Sequence, residues 1–482
     1  MAQSTASTSS LSTLLVARMR PLCRSATRQE RVGVRLLTLT LGLVMVSGRS
    51  MLTRVLMALG LGWRDWSAPY RLFRHTRLDL DVLRRGAVRA WLALYPEAGP
   101  VVVVLDGTQL PRTSKRLPGV GFLRAPRTPV WRPGIHYAQR WEGLSGLTPV
   151  STDGDARAVP LWFEPAPTPK ATTWDGYPPR KEWEAGLAAL GWLRAHLAEC
   201  EASTRPIVAV ADGAYTGAAL WNGLPAHTTL LARCPKNRAL FALPSVYRGR
   251  GRRRLYGEQG PAPQDQRADP EEWQQLRCQV RGTTHHLTVK VTGPWVVKKA
   301  SAHPLMLIIV KGSQHIRGAR IIRRDPTYYL VSAVKVTIGE GADQTQIWTL
   351  PWPLAELLSW AWQRWEVEVM HRELKSGWGL GDQQQTHPVS AALVPQWVVW
   401  AYAMLVLVAC QAGVAGPAPP ATKWYRGRRW TPRDVVTEVR QDLWQRSITD
   451  LLADDADPPA TGPKMPVDTA PPLAWLRIAQ AL

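Results

Sequence analysis

The clearest pattern in the chain is a short apolar run that ends in Asp-Gly, and it occurs twice. Residues 101–105 precede Asp106, and residues 207–211 precede Asp212. Uninterrupted runs of this length, rich in β-branched residues, predict strands that are buried on both faces of a mixed or parallel sheet. Each aspartate would then lie at the carboxyl end of its strand, where open α/β sheets place their chemistry. For either position alone, the alternative is a simple Asp-Gly turn.

A third acid lies in residues 360–375, a segment without Gly or Pro whose periodicity predicts a helix. The apolar stripe predicted to face the core comprises Leu358, Trp362, Trp365 and Val369. The polar stripe that borders it comprises Arg364, Glu368, His371 and Lys375. Glu368 is therefore expected at the rim of the core, beside the sheet. The alternative is a solvated face with intrahelical ion pairs.

Three carboxylates from two strand ends and one helix suit two-metal phosphoryl transfer. Mg²⁺ prefers oxygen ligands, and two such ions about 3.5–4 Å apart activate the attacking oxygen and stabilise the leaving one. The ten His and five Cys lack the spacings of zinc sites. Competing acids are Glu366, on another side of the helix, and Asp153, Asp155 and Asp382, which lie in Gly-rich loops where turn or cap roles are expected.

The three acids, in this order, resemble those of DDE transposases from bacterial insertion sequences. Asp106 in LDGT matches the first family aspartate, Asp212 in VADGAYT the second, and Glu368 the glutamate. Arg364 and Lys375 match the Arg and Lys of the YREK signature of one such group. The resemblance covers about residues 70 to 445.

One signature position departs from the family pattern, because Ala361 stands where the signature has Tyr. In the family that Tyr contacts the DNA end, and either Trp360 or Trp362 could replace it by stacking.

The resemblance implies an enzyme that cuts the ends of a mobile element and joins the freed 3′-hydroxyl to target DNA. It implies catalysis and metal binding by Asp106, Asp212 and Glu368, with two Mg²⁺ ions and Mn²⁺ as a possible substitute. The implied partners are double-stranded DNA, as transposon ends and target, and a second copy of the chain in a synaptic homodimer. Two alternatives are an RNase H-like nuclease without strand transfer and a catalytically inactive, transposase-derived DNA-binding protein.

The expected fold is α/β: an RNase H-like mixed sheet flanked by helices, with a β-rich insertion and a helical N-terminal domain. The elements predicted around the first two acids are strands at 135–141 and 158–163 and a helix at 183–197. The strands predicted in the insertion are 287–291, 304–310 and 328–334. The predicted units are a basic helical domain at 1–95, catalytic parts at 96–232 and 344–415, the insertion at 233–343, and a linker with a helical tail at 416–482.

The net charge of +23 and the pI near 10.4 predict a polyanionic partner, and nucleic acid is the usual one. Residues 1–90 contain 15 Arg, no Lys and four acids, so DNA binding by this region is expected, with a packing role as the alternative. An Arg-rich loop in the insertion could follow a phosphate backbone, with an unspecific solvated loop as the alternative. Its residues are Arg248, Arg250, Arg252, Arg253 and Arg254.

Two apolar stretches of the chain are candidates for membrane-spanning helices. Residues 36–48 are too short to cross a bilayer. Residues 397–413 are at the lower limit of length and are expected to form a buried helix on the sheet, with a true span as the alternative. No secretory signal is expected, and five unpatterned Cys fit a reducing compartment. The expected location is the bacterial cytoplasm, in association with the nucleoid, without a membrane partner.

Overall fold

A mixed β-sheet forms the centre of the protein, and helices lie on both of its faces. Within the part of the chain that is described, the sheet has eleven strands. This arrangement confirms the predicted α/β class with an RNase H-like mixed sheet flanked by helices. The computed structural model describes residues 10–454 except 47, 76, 127, 130, 150–155, 246–248, 250–253, 281, 318–319, 340–343 and 413–429.

The strands follow the chain from the first apolar run to the segment before the glutamate helix. They are β1 (Val101–Pro111), β2 (Val120–Arg124), β3 (Ile135–Leu147), β4 (Ala158–Pro165), β5 (Ile207–Ala211), β6 (Thr228–Arg233), β7 (Phe241–Ala242), β8 (Gln274–Val280), β9 (Thr283–Val297), β10 (Ala300–Val310), β11 (Ser313–Arg317), β12 (Arg320–Arg324), β13 (Thr327–Ser332), β14 (Val334–Ile338) and β15 (Thr345–Thr349).

The helices flank this strand-rich region in the sequence. They are α1 (Leu11–Ser25), α2 (Glu30–Met45), α3 (Leu52–Ala58), α4 (Ser67–Arg74), α5 (Leu80–Leu92), α6 (Glu182–Glu199), α7 (Ala218–Asn222), α8 (Pro263–Ala268), α9 (Leu354–Gln363), α10 (Trp365–Ser376), α11 (Pro388–Ala412) and α12 (Pro432–Asp454). The strands and the helix predicted between the first two acids are confirmed as β3, β4 and α6.

The two apolar runs are neighbours in the sheet. Strand β1 pairs in parallel with β5, and the last pair in this register is Leu105 with Ala211. On its other side β1 pairs antiparallel with β3 as far as Pro111 with Ala138. The expectation that Asp106 ends its strand is therefore wrong, since hydrogen bonding to β3 carries the strand beyond it. The Asp-Gly pair at this position makes no turn.

Five strands of the predicted insertion, β7, β8, β9, β10 and β13, continue the same sheet, whereas β11 pairs with β12 and β14 with β15 in two separate two-stranded sheets. Strand β13 pairs antiparallel with β6 on one side and with β10 on the other, so the order runs β5, β6, β13, β10, β9. The strands predicted at 287–291 and 304–310 lie within β9 and β10, and most of the strand predicted at 328–334 lies in β13. The predicted domain boundaries stay a prediction.

Helix α11 is the central packing element outside the sheet. It contacts β4 and the N-terminal helices α1, α4 and α5, and the Trp397 indole nitrogen donates to the Thr40 hydroxyl at 2.9 Å. The helix is long and apolar enough to cross a membrane by length and composition. Most of its apolar window is buried inside the protein, which agrees with the prediction of a buried core helix.

The glutamate helix is interrupted at Arg364, where α9 ends and α10 begins, so the prediction of one continuous helix is wrong. The predicted apolar stripe is wrong at one position, because Trp365 is 48 % exposed. The break shifts the buried face of α10 to Val367, Met370 and Leu374. Neither Gly nor Pro marks the break in the sequence.

A close contact between α5 and β3 tests the packing of this core. A Cβ at Gly146 would lie 2.4 Å from the Trp91 ring, and Trp91 is fully buried with its indole nitrogen donating to the Leu147 carbonyl. We expect Gly146→Ala to destabilise the protein by about 1–3 kcal/mol, measured by urea unfolding.

The matched control is Gly191→Ala on α6, where an added Cβ meets nothing within 4 Å. This substitution should leave stability unchanged or raise it by up to about 1 kcal/mol, because Ala is the better helix former. Equal stability of the two variants would contradict the described contact between α5 and β3.

Candidate active site

The first two acids are placed side by side by the parallel strands β1 and β5. Asp106 and Asp212 each follow the last registered pair, Leu105 with Ala211, on strands whose spacing is about 4.8 Å. Asp212 lies just after β5, as predicted, and its Oδ1 accepts a hydrogen bond from the Ala214 amide at 2.8 Å. The backbone after β5 therefore holds the second carboxylate beside the first.

Helix α10 lies along β1 and presents polar side chains to it. Among them, His371 Nε2 is 3.6 Å from Asp106 Oδ2, and Lys375 Nζ donates to Thr108 Oγ1 at 2.7 Å. One turn earlier, Glu368 Oε1 accepts from Arg364 Nη2 at 2.7 Å. The polar stripe predicted from the sequence thus faces the strand that carries Asp106.

The charges of Asp212 and Glu368 both influence the pKa of Asp106. The pKa of Asp106 is raised from 3.8 to about 7, mainly by burial; the Arg364 guanidinium lowers it, and the negative charges of Asp212, Glu368 and Glu182 raise it. Desolvation and the neighbouring carboxylates both disfavour the ionised form of Asp106. A bound cation would favour that form, because its charge would offset both effects.

Within the described residues, no three His, Cys, Asp or Glu side chains are grouped closely enough to hold a metal ion. One reason is that Arg364 holds the Glu368 carboxylate. The donor set nevertheless fits a hard divalent cation, because such an ion takes carboxylate oxygens and would neutralise the repulsion around Asp106. Asp106 and Asp212 could hold a first ion, and a second would require Glu368 to leave Arg364.

His371 lies beside Asp106 without acting as its counter-charge. Burial, together with the positive charge of Lys375, lowers the pKa of His371 to about 3, so the ring is neutral. Neither ring nitrogen has a hydrogen-bond partner among the described residues. His371 is therefore a buried, uncharged side chain in contact with one side of Asp106.

The opposite face of β1 carries a second set of acids, which sequence reasoning missed. Gly107 faces the buried Glu142 on β3 and Glu182 at the start of α6, and a Cβ at Gly107 would lie 3.3 and 3.4 Å from their carboxylate oxygens. The Tyr215 hydroxyl donates to Glu142 Oε1 at 2.6 Å. This glycine lets both carboxylates approach the strand next to Asp106.

The Glu142–Tyr215 hydrogen bond ties β3 to the turn after Asp212. Both side chains are buried, and Tyr215 belongs to the single 3₁₀ turn, Gly213–Tyr215, that Asp212 caps. Burial raises the pKa of Glu142 well above its ordinary value, and Glu182 adds to the rise, while the bond from Tyr215 opposes it. Glu142 is therefore a neutral acid that holds the Asp212 turn in place.

The sequence contains only weak signals for these residues. Glu142 is an isolated acid between apolar residues of a strand, and Tyr215 lies in the VADGAYT motif that was matched for its aspartate alone. Thr108 lies in LDGT, and nothing in that motif points to Lys375 as its partner. Such pairings join distant parts of the chain and leave no periodic trace.

The remaining candidates lie elsewhere. Arg254 is exposed, whereas the other arginines of the predicted loop lie outside the described residues: Arg248, Arg250, Arg252 and Arg253. Asp153 and Asp155 also lie outside them. Asp382 accepts a hydrogen bond from the Ser50 amide at 3.0 Å, and Glu366 is buried beside a separate cavity lined by Arg157 and Tyr402. Neither acid competes with Glu368 for the site.

Comparison with known proteins gives one family match. A family model described as DDE superfamily endonuclease matches residues 19–292, which is more than half of the chain. The match includes Asp106 and Asp212 and ends before α10, which carries Glu368. No curated protein matches the chain.

The buried acid Glu142 makes stability depend on pH. Its pKa in the folded protein lies above the ordinary 4.5, so its contribution to stability is full below that pH and falls as the pH rises. We expect Glu142→Gln to become more stable than the wild type by up to about 1.4 kcal/mol per pH unit above that point. Urea unfolding of both proteins at a series of pH values measures this difference.

The control for this prediction is Glu199→Gln, because Glu199 is a half-exposed acid paired with Arg85. Its stability relative to the wild type should not increase with pH. Carboxyls with raised pKa values titrate between roughly pH 5 and pH 8. If the difference in unfolding free energy between Glu142→Gln and the wild type does not change over this range, Glu142 is not neutral in the folded protein.

Proposed function

Since the chain belongs to the DDE superfamily of endonucleases, we propose that it is a DNA transposase that cuts the ends of an insertion sequence and joins them to target DNA. Membership of this family implies DNA as the substrate and a divalent metal as the cofactor. What supports the proposal is that Asp106 and Asp212 follow the last paired residues of adjacent parallel strands and that the charges of Asp212 and Glu368 both act on Asp106.

In the proposed mechanism Asp106, Asp212 and Glu368 would hold two Mg²⁺ ions, with Mn²⁺ as a possible substitute. When bound, such ions activate the attacking oxygen and stabilise the leaving oxygen of an in-line displacement at phosphorus. The backbone positions of the three acids are set by β1, β5 and α10 before DNA arrives, and only the Glu368 side chain would have to move, away from Arg364.

The cations of the site are proposed to bind DNA phosphates. Arg364 and Lys375 lie at the two ends of the polar face of α10, on either side of His371. Arg364 is paired with Glu368, and its guanidinium could turn to a phosphate when a metal takes that carboxylate. The neutral ring of His371 would keep water away from Asp106 between these two contacts.

The same residues support membership of the YREK group within the family. Arg364, Glu368 and Lys375 keep the spacing of the signature, and Ala361 replaces its Tyr. Of the two proposed substitutes, Trp362 is covered by the Arg324 guanidinium at 4.5 Å and contacts His285 edge to face, whereas Trp360 contacts Trp352 edge to face and has no such cation over its ring among the described residues. Trp360 is therefore the better candidate for the DNA contact made by the missing Tyr.

The partners follow from this proposal. Double-stranded DNA would be bound as transposon ends and as target, by a homodimer that brings two ends together. The helices of residues 11–92 and the Arg-rich loop that includes Arg254 are proposed to contribute DNA contacts, which fits the net charge of +23. The enzyme would act in the bacterial cytoplasm on nucleoid DNA, without a membrane partner.

Removal of any one of the three acids should abolish cleavage. We expect Asp106→Asn, Asp212→Asn and Glu368→Gln each to lower Mg²⁺-dependent cutting of DNA that carries the element ends by about a hundredfold or more. Gel analysis of end-labelled DNA measures the cutting, and thermal unfolding checks that each variant is folded.

The matched control is Asp175→Asn, an exposed acid in the loop before α6. It should cut as fast as the wild type. Normal cutting by the variant of any proposed ligand would remove that residue from the site.

Strand transfer distinguishes a transposase from a nuclease of the same fold. We expect pre-cut ends with free 3′-hydroxyls, incubated with the protein, Mg²⁺ and a supercoiled plasmid, to become covalently joined to the plasmid. Ends that carry a 3′-deoxy terminus are the control and should not be joined, because the attacking oxygen is absent.

Two results would replace the proposal with its alternatives. Cutting without any joined product would indicate an RNase H-like nuclease without strand transfer. Specific DNA binding without cutting in Mg²⁺ or Mn²⁺ would indicate a catalytically inactive, transposase-derived DNA-binding protein.

A further inference from the structure

A single hairpin carries the three most exposed large apolar side chains of the described residues. Phe122 is 68 % exposed, Trp131 83 % and Ile135 71 %, and they lie on β2, on the connection to β3, and at the start of β3. Single exposed apolar residues need no explanation, but a cluster of large ones marks a binding surface. We call residues 120–137, where described, the aromatic hairpin.

Four side chains on the two strands of the aromatic hairpin lie on one face. Phe122 is paired directly with Tyr137, and Arg124 with Ile135, so these four side chains lie on the same side of the two strands. The rings of Phe122 and Tyr137 meet edge to face with centroids 5.0 Å apart. The result is a preformed apolar and aromatic face bordered by a guanidinium.

The charge around this face has one sign. The chain has no Asp or Glu between Asp106 and Glu142, and the interval contains seven Lys or Arg residues. Those that are described and exposed are Lys115, Arg116, Arg124 and Arg132. Aromatic side chains interleaved with basic ones suit a ligand with flat rings and a negatively charged backbone.

The hairpin adjoins the candidate active site. His136 Nε2 lies 2.5 Å from Gln109 Oε1 on β1, and the residue before Gln109, Thr108, accepts a hydrogen bond from Lys375 at 2.7 Å. Burial and then the positive charge of Lys375 lower the pKa of His136. In the register of β1 with β3, Asp106 faces Gly143, and alternation along β3 places Tyr137 on the same face. DNA that reaches Asp106 would therefore pass this surface.

We propose that the aromatic hairpin binds unpaired bases of DNA by stacking, at a point about 20 Å along β3 from the residue that faces Asp106. The inference rests on the proposed function and deepens it, because it names the form of substrate that the site takes: DNA whose strands are separated near the cleavage point. Phe122, Trp131 and Tyr137 stack on bases, while Arg124 and Arg132 contact the phosphates between them.

The other possible occupants fit the surface less well. In a two-fold contact with a second copy, the basic patch would meet itself, and like charges at an interface oppose association. A membrane surface would match both the charge and the apolar side chains. It could not extend from the hairpin to the contact between Lys375 on α10 and Thr108 on β1. Continuity with the active site favours DNA.

The test compares two DNA probes with the full chain carrying Asp106→Asn, in EDTA, so that binding is measured without cutting. One probe is a paired duplex, and the other is the same duplex with an unpaired thymidine tail that contains 2-aminopurine. We expect tighter binding of the tailed probe and quenching of the 2-aminopurine. When Phe122→Ala or Trp131→Ala is introduced into this Asp106→Asn parent, the affinity for the tailed probe should fall by about 5- to 100-fold. The affinity for the paired duplex should stay within about twofold of the parent's value.

The matched control is Trp63→Ala, which removes an aromatic side chain that is 63 % exposed outside the hairpin. It should not change the ratio of the two affinities. Equal affinity of the parent protein for both probes, or equal losses on both, would overturn the inference, even if the wild type cuts DNA. If Phe122→Ala or Trp131→Ala leaves the ratio of the two DNA affinities unchanged but abolishes binding to anionic vesicles, the hairpin binds a membrane surface. If either variant leaves that ratio unchanged but loses a dimer seen in sedimentation, the hairpin is a contact between two copies of the chain. Each result would overturn the inference.

Discussion

Confinement of negative charge around one segment of β1 is the constraint on which the rest of the site depends. Asp106 faces α10 on one side of the sheet, and Glu142 and Glu182 approach Gly107 on the other. Carboxylates this close cannot all be ionised in a desolvated environment without compensation. The fold compensates by holding Glu142 neutral under Tyr215 and by placing Arg364 beside Glu368. The remaining charge on the Asp106 side is what a divalent cation would meet.

Contacts with neighbouring elements fix which face of α10 is turned toward the acids on β1. The end of α10 is tied to the core because the Trp378 indole donates to the Val398 carbonyl in α11 at 2.9 Å. Beyond the helix, Arg112, one residue after β1, donates to the carbonyls of Gly381 and Gln383. These contacts hold the C-terminal end of α10 and the segment after it close to the contact between Lys375 and Thr108. The buried network around the site keeps the side chains of α10 in register with β1.

The parts of the site that were predictable are those with local signatures. Asp106 and Asp212 follow uninterrupted apolar runs, and helical spacing brought Arg364, Glu368 and Lys375 to one face. The break at Arg364 was not predictable, because helix propensity continues through it and tertiary packing decides where the chain bends.

Residues that act across the sheet were also beyond prediction. Glu142 is placed opposite Gly107 by the register of β3, and one residue of slip would put it on the other face. Its role therefore depends on pairing between segments far apart in the sequence. The fold class was easier, since alternating strands and helices with buried apolar runs restrict the architecture to few possibilities. The joining of β13 to β6 is a long-range contact of the kind that periodicity does not encode.

That joining has a mechanical consequence. Because β13 hydrogen-bonds to β6, and β6 to β5, an unbroken ladder connects the strands of the insertion with the strand that precedes Asp212. A flexible linker would let such a segment swing, whereas a shared sheet transmits a load applied at β9 or β10 directly to the catalytic strands. Rotation of the insertion relative to the catalytic strands would therefore have to break hydrogen bonds of the sheet, so the ladder fixes the distance between β10 and the strand before Asp212.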